Sequence, residues 1–320
     1  MALRLTQADI RDALPVMELI DTMEAALASF SSGAVVQPVR TVLELGDGAL
    51  FGTMPAYIKE PPVHGAKLLT VIPSNASRGL PTHLATIVLL DPATGELLAL
   101  VEGRFVTEVR TAAVSAVSVR HLASPDASVL AILGSGSQAR SHLAILPLVR
   151  PFRHIRAWSP TPAHLRRLVS ESPTPVEPAT TAEEAVRGAD VVVLATSSVT
   201  PVIADDWVMP GAHVISLGAC RPTQREIDPD LIARAALIVD SKAAALRESG
   251  DIVQGIREGR FSEDHIRAEL GEVVSQRPGR VSPQEITVFK SLGLAVEDLA
   301  AAHLVYRRAL EQGKGSEIAN

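Results

Sequence analysis

The 320-residue chain carries 30 Lys and Arg against 36 Asp and Glu, a formal net charge of −6, with 47% hydrophobic residues. This supplies core for two ordinary domains, excludes wholesale disorder, and argues against a nucleic-acid or anionic-membrane partner. Cys220 is the only cysteine, which excludes an internal disulfide; with no uncharged apolar run of spanning length and no leader-like start, the chain reads as a cytoplasmic globular protein.

Residues 7–30 carry apolar side chains at mostly helical spacing and predict one amphipathic helix. Residues 39–45 and 49–54 flank Asp47-Gly48, a hairpin signal. Further strands are predicted at 65–72, 86–91 and 96–101, so the first hundred residues read as α+β with antiparallel strands, followed by an alanine-rich helix over 107–122. From Val129 strands and helices alternate: strands at 129–133, 155–158, 189–196, 213–218 and 237–240, helices around 163–169 and 182–186, and a closing helix over 296–310. Alternation of this kind predicts an α/β, doubly wound parallel sheet.

The second half is organised around the stretch Leu133-Gly134-Ser135-Gly136-Ser137-Gln138-Ala139, a GxGxxA between a buried strand and a helix. Gly134 permits the turn, Gly136 lets the backbone approach a pyrophosphate, and Ala139 allows close helix–strand packing, while helix amides face the phosphates. Thr196 and Ser197, after a later buried strand, are placed in the same crevice. At the end of the second strand Ser159-Pro160-Thr161 replaces the acidic residue that binds a ribose 2′-hydroxyl, and Arg166 lies nearby. Hydroxyls and arginines suit a 2′-phosphate, so NADP is favoured over NAD.

Four charged residues stand in apolar surroundings: Arg40, Lys67, Arg110 and Asp228. Arginines suit capture of a carboxylate, and a strand-borne lysine can bind an anion or move a proton. The alternative for each is a structural ion pair. The nine histidines show no metal-ligand spacing, so no metal site is expected.

Several stretches together resemble the ornithine cyclodeaminase/mu-crystallin family along nearly the whole chain: residues 52–57, Lys67, 94–96, 107–113, 133–139, Gly218 with 225–228, 248–251 and 287–295. The resemblance implies a Rossmann-type domain over 118–299 and an α+β substrate and dimerisation domain made of 1–117 and 300–320, assembled as a homodimer. It implies that Arg40, Lys67 and Arg110 hold the substrate carboxylate, that Lys67 and Asp228 do acid–base work, and that Thr111, Ser135, Gln138, Gly218, Ser291 and Gly293 join the cofactor site. The expected activity is reduction of a small α-imino acid, as by a ketimine reductase, a Δ1-pyrroline-2-carboxylate reductase or an alanine dehydrogenase. The alternatives are ornithine cyclodeamination with recycled NAD, and a small-ligand binding protein that retains NADP. Gly52 stands where deaminating members carry a glutamate, which points away from the first alternative; Lys67, Arg110 and Asp228 together point away from the second.

Overall fold

The computed structural model describes residues 2–318 and divides into two compact units, one made of the chain up to Thr111 and from Leu294 onward, the other Ala112–Gly293. The expected boundaries, 117/118 and 299/300, each lie six residues after these divisions. The first unit opens with strand β1 (Ala2–Leu5) and helices α1 (Gln7–Ala13) and α2 (Val16–Ser31). The single helix expected over 7–30 is divided because Pro15 cannot donate a backbone hydrogen bond and holds Leu14 extended. After β2 (Val35–Val36), β3 (Thr41–Gly46) and β4 (Ala49–Lys59) form the expected hairpin, with Asp47 and Gly48 at φ of 49° and 72° in its turn. Strands β5 (Pro62–Val71), β6 (His83–Leu90) and β7 (Leu97–Glu102) continue it antiparallel, and α3 (Gly103–Leu122) follows.

The second unit runs β8 (Val129–Leu133), α4 (Ser137–Ile145), β9 (His154–Trp158), α5 (Pro162–Glu171), β10 (Glu177–Pro178), α6 (Ala182–Val186), β11 (Val191–Leu194) and β12 (His213–Ser216). It continues through α7 (Pro229–Arg234), β13 (Ala236–Val239), α8 (Lys242–Glu248), α9 (Gly250–Arg257), β14 (Ile266–Glu269), α10 (Leu270–Val274) and β15 (Thr287–Lys290). The eight strands form one parallel sheet in the order β10-β9-β8-β11-β12-β15-β13-β14. Every residue of β11, β12, β13 and β15 is buried, as strands covered on both faces must be. The order reverses beside β8, between β9 and β11, creating the switch point at which open α/β sheets bind ligands. The doubly wound expectation holds, with three strands beyond those expected: β10, in a stretch expected as a loop, β14 and β15. β15 inserts between β12 and β13, and its sequence Thr-Val-Phe-Lys hides a strand because a lysine ends it.

The chain then rejoins the first unit as α11 (Ala295–Gln312) and β16 (Ser316–Ile318). Neither β1 nor β16 was expected; they pair with each other, and β1 lies parallel to β7. The first unit's sheet runs β16-β1-β7-β6-β5-β4-β2, with β3 also on β4, and α11 packs across β4, β5 and β6. Lys67, Leu69, Ile87 and Met54 lie on the buried side of these strands. The alternate positions Val36, Leu43, Tyr57, Leu68 and Leu84 stay exposed, giving an apolar outer face.

Candidate active site

Two sets of residues carry chemistry, one in each unit. In the first unit, β5 presents Lys67, α3 presents Arg110, and α11 presents Glu297 and Asp298 from its first turn. Lys67 Nζ lies 2.5 Å from Asp298 Oδ2. Arg110 Nε donates to Asp298 Oδ1 at 2.9 Å and its Nη1 donates to Glu297 Oε2 at 2.5 Å. All four side chains are buried. Burial pulls the Lys67 ammonium down to about 8; the charges of Arg110 and Arg40 reinforce the shift, and Asp298 opposes it. Burial alone would raise Asp298, but Arg110 and Lys67 hold its carboxyl below the usual range. His83, half-buried on β6, is pushed down to about 4 by burial and by Lys67, so it is neutral near pH 7.

Arg40, Lys67 and Arg110, the three residues that the resemblance assigns to the substrate carboxylate, therefore lie in one electrostatic neighbourhood. The acidic pair was not anticipated. Its signal is present in the sequence as two adjacent carboxylates inside the apolar run 292–302.

In the second unit the glycine loop has the geometry of a phosphate cradle. Gly134 has φ of +123° and a Cβ there would lie 2.3 Å from the Ala195 carbonyl oxygen, so only glycine fits. At Gly136, by contrast, a Cβ would meet nothing within 4 Å; the space above the N-terminus of α4 is open. No side chain caps α4 and its first turn holds no acid, leaving its amides for an anion. Ala139 is fully buried, and the Gln138 Oε1 atom is buried without a hydrogen-bond partner. These features fit a dinucleotide pyrophosphate.

Ser135 and Ser159 pair through their hydroxyls at 2.9 Å, which joins the loop to the end of β9. Thr161 and Arg166 are exposed beyond them. Nearby Glu171 is engaged by Arg140 and Arg167. On the far side of the switch point, Thr196 donates its amide and hydroxyl to Glu226 while Ser197 is exposed. Gly218 packs so tightly that a Cβ would lie 1.8 Å from the Thr196 carbonyl oxygen. The Ser291 amide donates to the Ser216 carbonyl at 3.0 Å, and Gly293, at φ of +84°, donates to buried Asp240. Thr111 closes the first unit, its hydroxyl donating to the Thr107 carbonyl at 2.7 Å.

Asp228, expected from the resemblance to do acid–base work, has a structural role as well. It is the N-cap of α7: Oδ1 accepts from the Asp230 amide at 3.0 Å and Oδ2 from the Asp205 amide at 3.3 Å. The residue of this stretch that meets the strand ends is Glu226, two positions earlier. Among the described residues no group of three or more His, Cys, Asp or Glu could hold a metal ion, and no helix is long and apolar enough to cross a membrane.

The model of the ornithine cyclodeaminase/mu-crystallin family matches residues 2–313. The chain belongs to that family. It is 43% identical over 293 residues to ketimine reductase mu-crystallin of Rattus norvegicus, covering 90% of this chain and 91% of the relative. It is 36% identical over 317 residues to a Δ1-pyrroline-2-carboxylate reductase of Bacillus cereus, covering 96% and 97%. The structure of Thermococcus litoralis Δ1-pyrroline-2-carboxylate reductase, solved with NADH and L-proline, superposes with a TM-score of 0.96 at 35% identity, covering 99% of this chain and all of that one. The chain is an oxidoreductase of this family, and the parallel sheet of its second unit is of the Rossmann type.

Proposed function

We propose that the protein reduces a small α-imino acid with a nicotinamide dinucleotide, NADPH being preferred. The observation that carries this reading is the buried Lys67–Asp298–Arg110–Glu297 cluster with its depressed lysine. The guanidinium groups of Arg40 and Arg110 and the ammonium of Lys67 suit a substrate bearing a carboxylate. Lys67, fixed by Asp298, can keep the imine nitrogen protonated, which makes the adjacent carbon electrophilic, and a group poised near neutrality can give up its proton and regain it from water. The dinucleotide supplies the hydride; imine, proton and hydride together make the amine. Asp298 and Glu297 orient Lys67 and Arg110, and α11 with its apolar flank excludes water from them. Asp228, the N-cap of α7, is the second acid–base candidate of this scheme.

The preference for NADPH rests on Ser159 and Thr161, with Arg166 close in sequence, where an NAD site usually carries a carboxylate. The exposed apolar face of the first unit's sheet, with the groove lined by Val36, Pro55, Tyr57 and His64, supports a homodimer. Purified protein should consume NADPH with Δ1-pyrroline-2-carboxylate or with pyruvate plus ammonia, read by nicotinamide absorbance. Release of ammonia from ornithine without net change in nicotinamide absorbance would reject the reductase in favour of the cyclodeaminase.

A further inference from the structure

A second buried charged cluster lies beneath the ends of β11, β12 and β15. Glu226 is fully buried. Its Oε1 accepts from the Thr196 amide at 2.8 Å and the Thr196 hydroxyl at 2.7 Å; its Oε2 accepts from the Gly218 amide at 2.7 Å and the Ser216 hydroxyl at 3.0 Å. One carboxylate thus fastens the turns leaving two neighbouring strands. Asp251, in the first turn of α9, accepts at Oδ1 from the Glu226 and Ile227 amides at 2.7 and 3.1 Å. Lys290 Nζ lies 3.2 Å from Asp251 Oδ2 and donates to the Ser216 hydroxyl at 3.0 Å.

Two carboxylates and one ammonium sum to one excess negative charge. Burial, with Asp251 adding to it, pushes the Glu226 carboxyl up, while Lys290 and the bonds from Thr196 oppose that. Amides can only donate, so the arrangement is built for the ionised form. Asp251 is accommodated by the positive end of α9 and its two amide bonds. The location matters. A dinucleotide whose adenosine half lies at the end of β9, with its pyrophosphate on α4, extends its other half across the switch point toward β11 and β12.

We propose that Glu226 is a positioning residue for the nicotinamide end of this crevice, and that its cluster with Asp251 and Lys290 favours the oxidised, positively charged ring over the reduced, neutral one. The inference rests on the oxidoreductase reading above. A unit charge acting over roughly 10 Å at an effective dielectric near 20 is worth about tenfold in relative affinity. Hydride donation creates the positive ring, so the cluster pulls in the direction of imine reduction.

The test compares Kd values of the oxidised and reduced dinucleotide, measured by calorimetry or fluorescence, for the parent, Glu226→Gln, Asp251→Asn and Ser216→Ala. The ratio of oxidised to reduced Kd should rise about tenfold in the first two variants, which remove charge. It should hold in Ser216→Ala, which removes only a hydroxyl, even where both affinities fall. If Glu226→Gln does not fold, Asp251→Asn removes the same unit of charge and decides. Equal loss of both affinities in the charge variants, with an unchanged ratio, would overturn the proposal. Failure of the parent to bind either dinucleotide would instead overturn the oxidoreductase reading beneath it.

Discussion

The two units each bury a lysine completely, and the two lysines respond in opposite ways. Lys67 is drawn down to about 8, whereas Lys290 is held above its ordinary value. Burial opposes the charged form of both. The neighbours decide the outcome: Lys67 has Arg110 and Arg40 beside its one close carboxylate, while Lys290 sits by Asp251 and Glu226. Residue type and burial alone therefore do not identify a reactive lysine; the sign of the charge around it does. The first cluster gathers the cationic side chains Arg40, Lys67 and Arg110, which in the function proposed above serve an anionic substrate and proton exchange. The second is anionic and bonded into the backbone of the strand ends.

Replacement of each lysine should separate these roles. Lys67→Met is expected to lower kcat by about a hundredfold or more, the range of a lost general acid. It should cost little stability, because Arg110 still pairs with Asp298. Lys290→Met strips the second cluster of its cation and should destabilise by about 3–5 kcal/mol, read by denaturant unfolding. If both variants lose activity and stability in equal measure, the contrast between the clusters fails.

Arg110→Met sharpens the comparison from within the first cluster. Arg110 touches both Glu297 and Asp298 and is a substrate residue in the function proposed above, so its loss should depress stability by about 3 kcal/mol and also raise KM. A rise in KM with an unchanged unfolding midpoint would make Arg110 a binding residue without a structural share.

Titration offers a milder probe. The proton-donating form of Lys67 is lost above about pH 8, so kcat/KM should fall about tenfold per pH unit beyond it, and Lys67→Met should abolish that limb. Stability moves the other way for this group. Between about 8 and the ordinary 10.5, the unfolded chain holds a proton that the folded chain lacks, so the contribution of Lys67 to stability rises with pH. A flat kcat/KM profile to pH 9.5 would remove Lys67 from the proton step. The smallest effect is expected from Ser159→Asp, which touches neither cluster. It should move the kcat/KM preference several-fold toward NADH by setting a carboxylate where a 2′-phosphate would lie.

Much of this was legible in the sequence. The glycine loop was readable because it needs glycine itself: Gly134 has a left-handed backbone with a carbonyl against it. The Asp47-Gly48 turn was readable for a similar local reason. Lys67 and Arg110 stood out as charges in apolar surroundings, but their partners did not, because Glu297 and Asp298 are brought to them only by the return of α11. Asp228 shows the converse. An acid before proline is also a helix cap, and the backbone amides of Asp205 and Asp230 make it one. Strand β15 escaped because a four-residue strand ending in lysine carries no periodicity, and its place between β12 and β13 is a tertiary fact.

The span between Arg110 and Asp298, 188 residues, has a consequence for how the chain is made. During synthesis from the N-terminus, strands β1 to β7 of the first unit emerge long before α11 and β16, and the whole second unit emerges between them. The second unit, a contiguous segment with its glycine loop and its own charged cluster, can complete itself while the ribosome is still translating. Until α11 arrives, Lys67 and Arg110 lack the carboxylates that make their burial tolerable. The nascent protein should therefore gain a competent dinucleotide site before it gains a substrate site, and the closing helix sets the moment at which the enzyme becomes active.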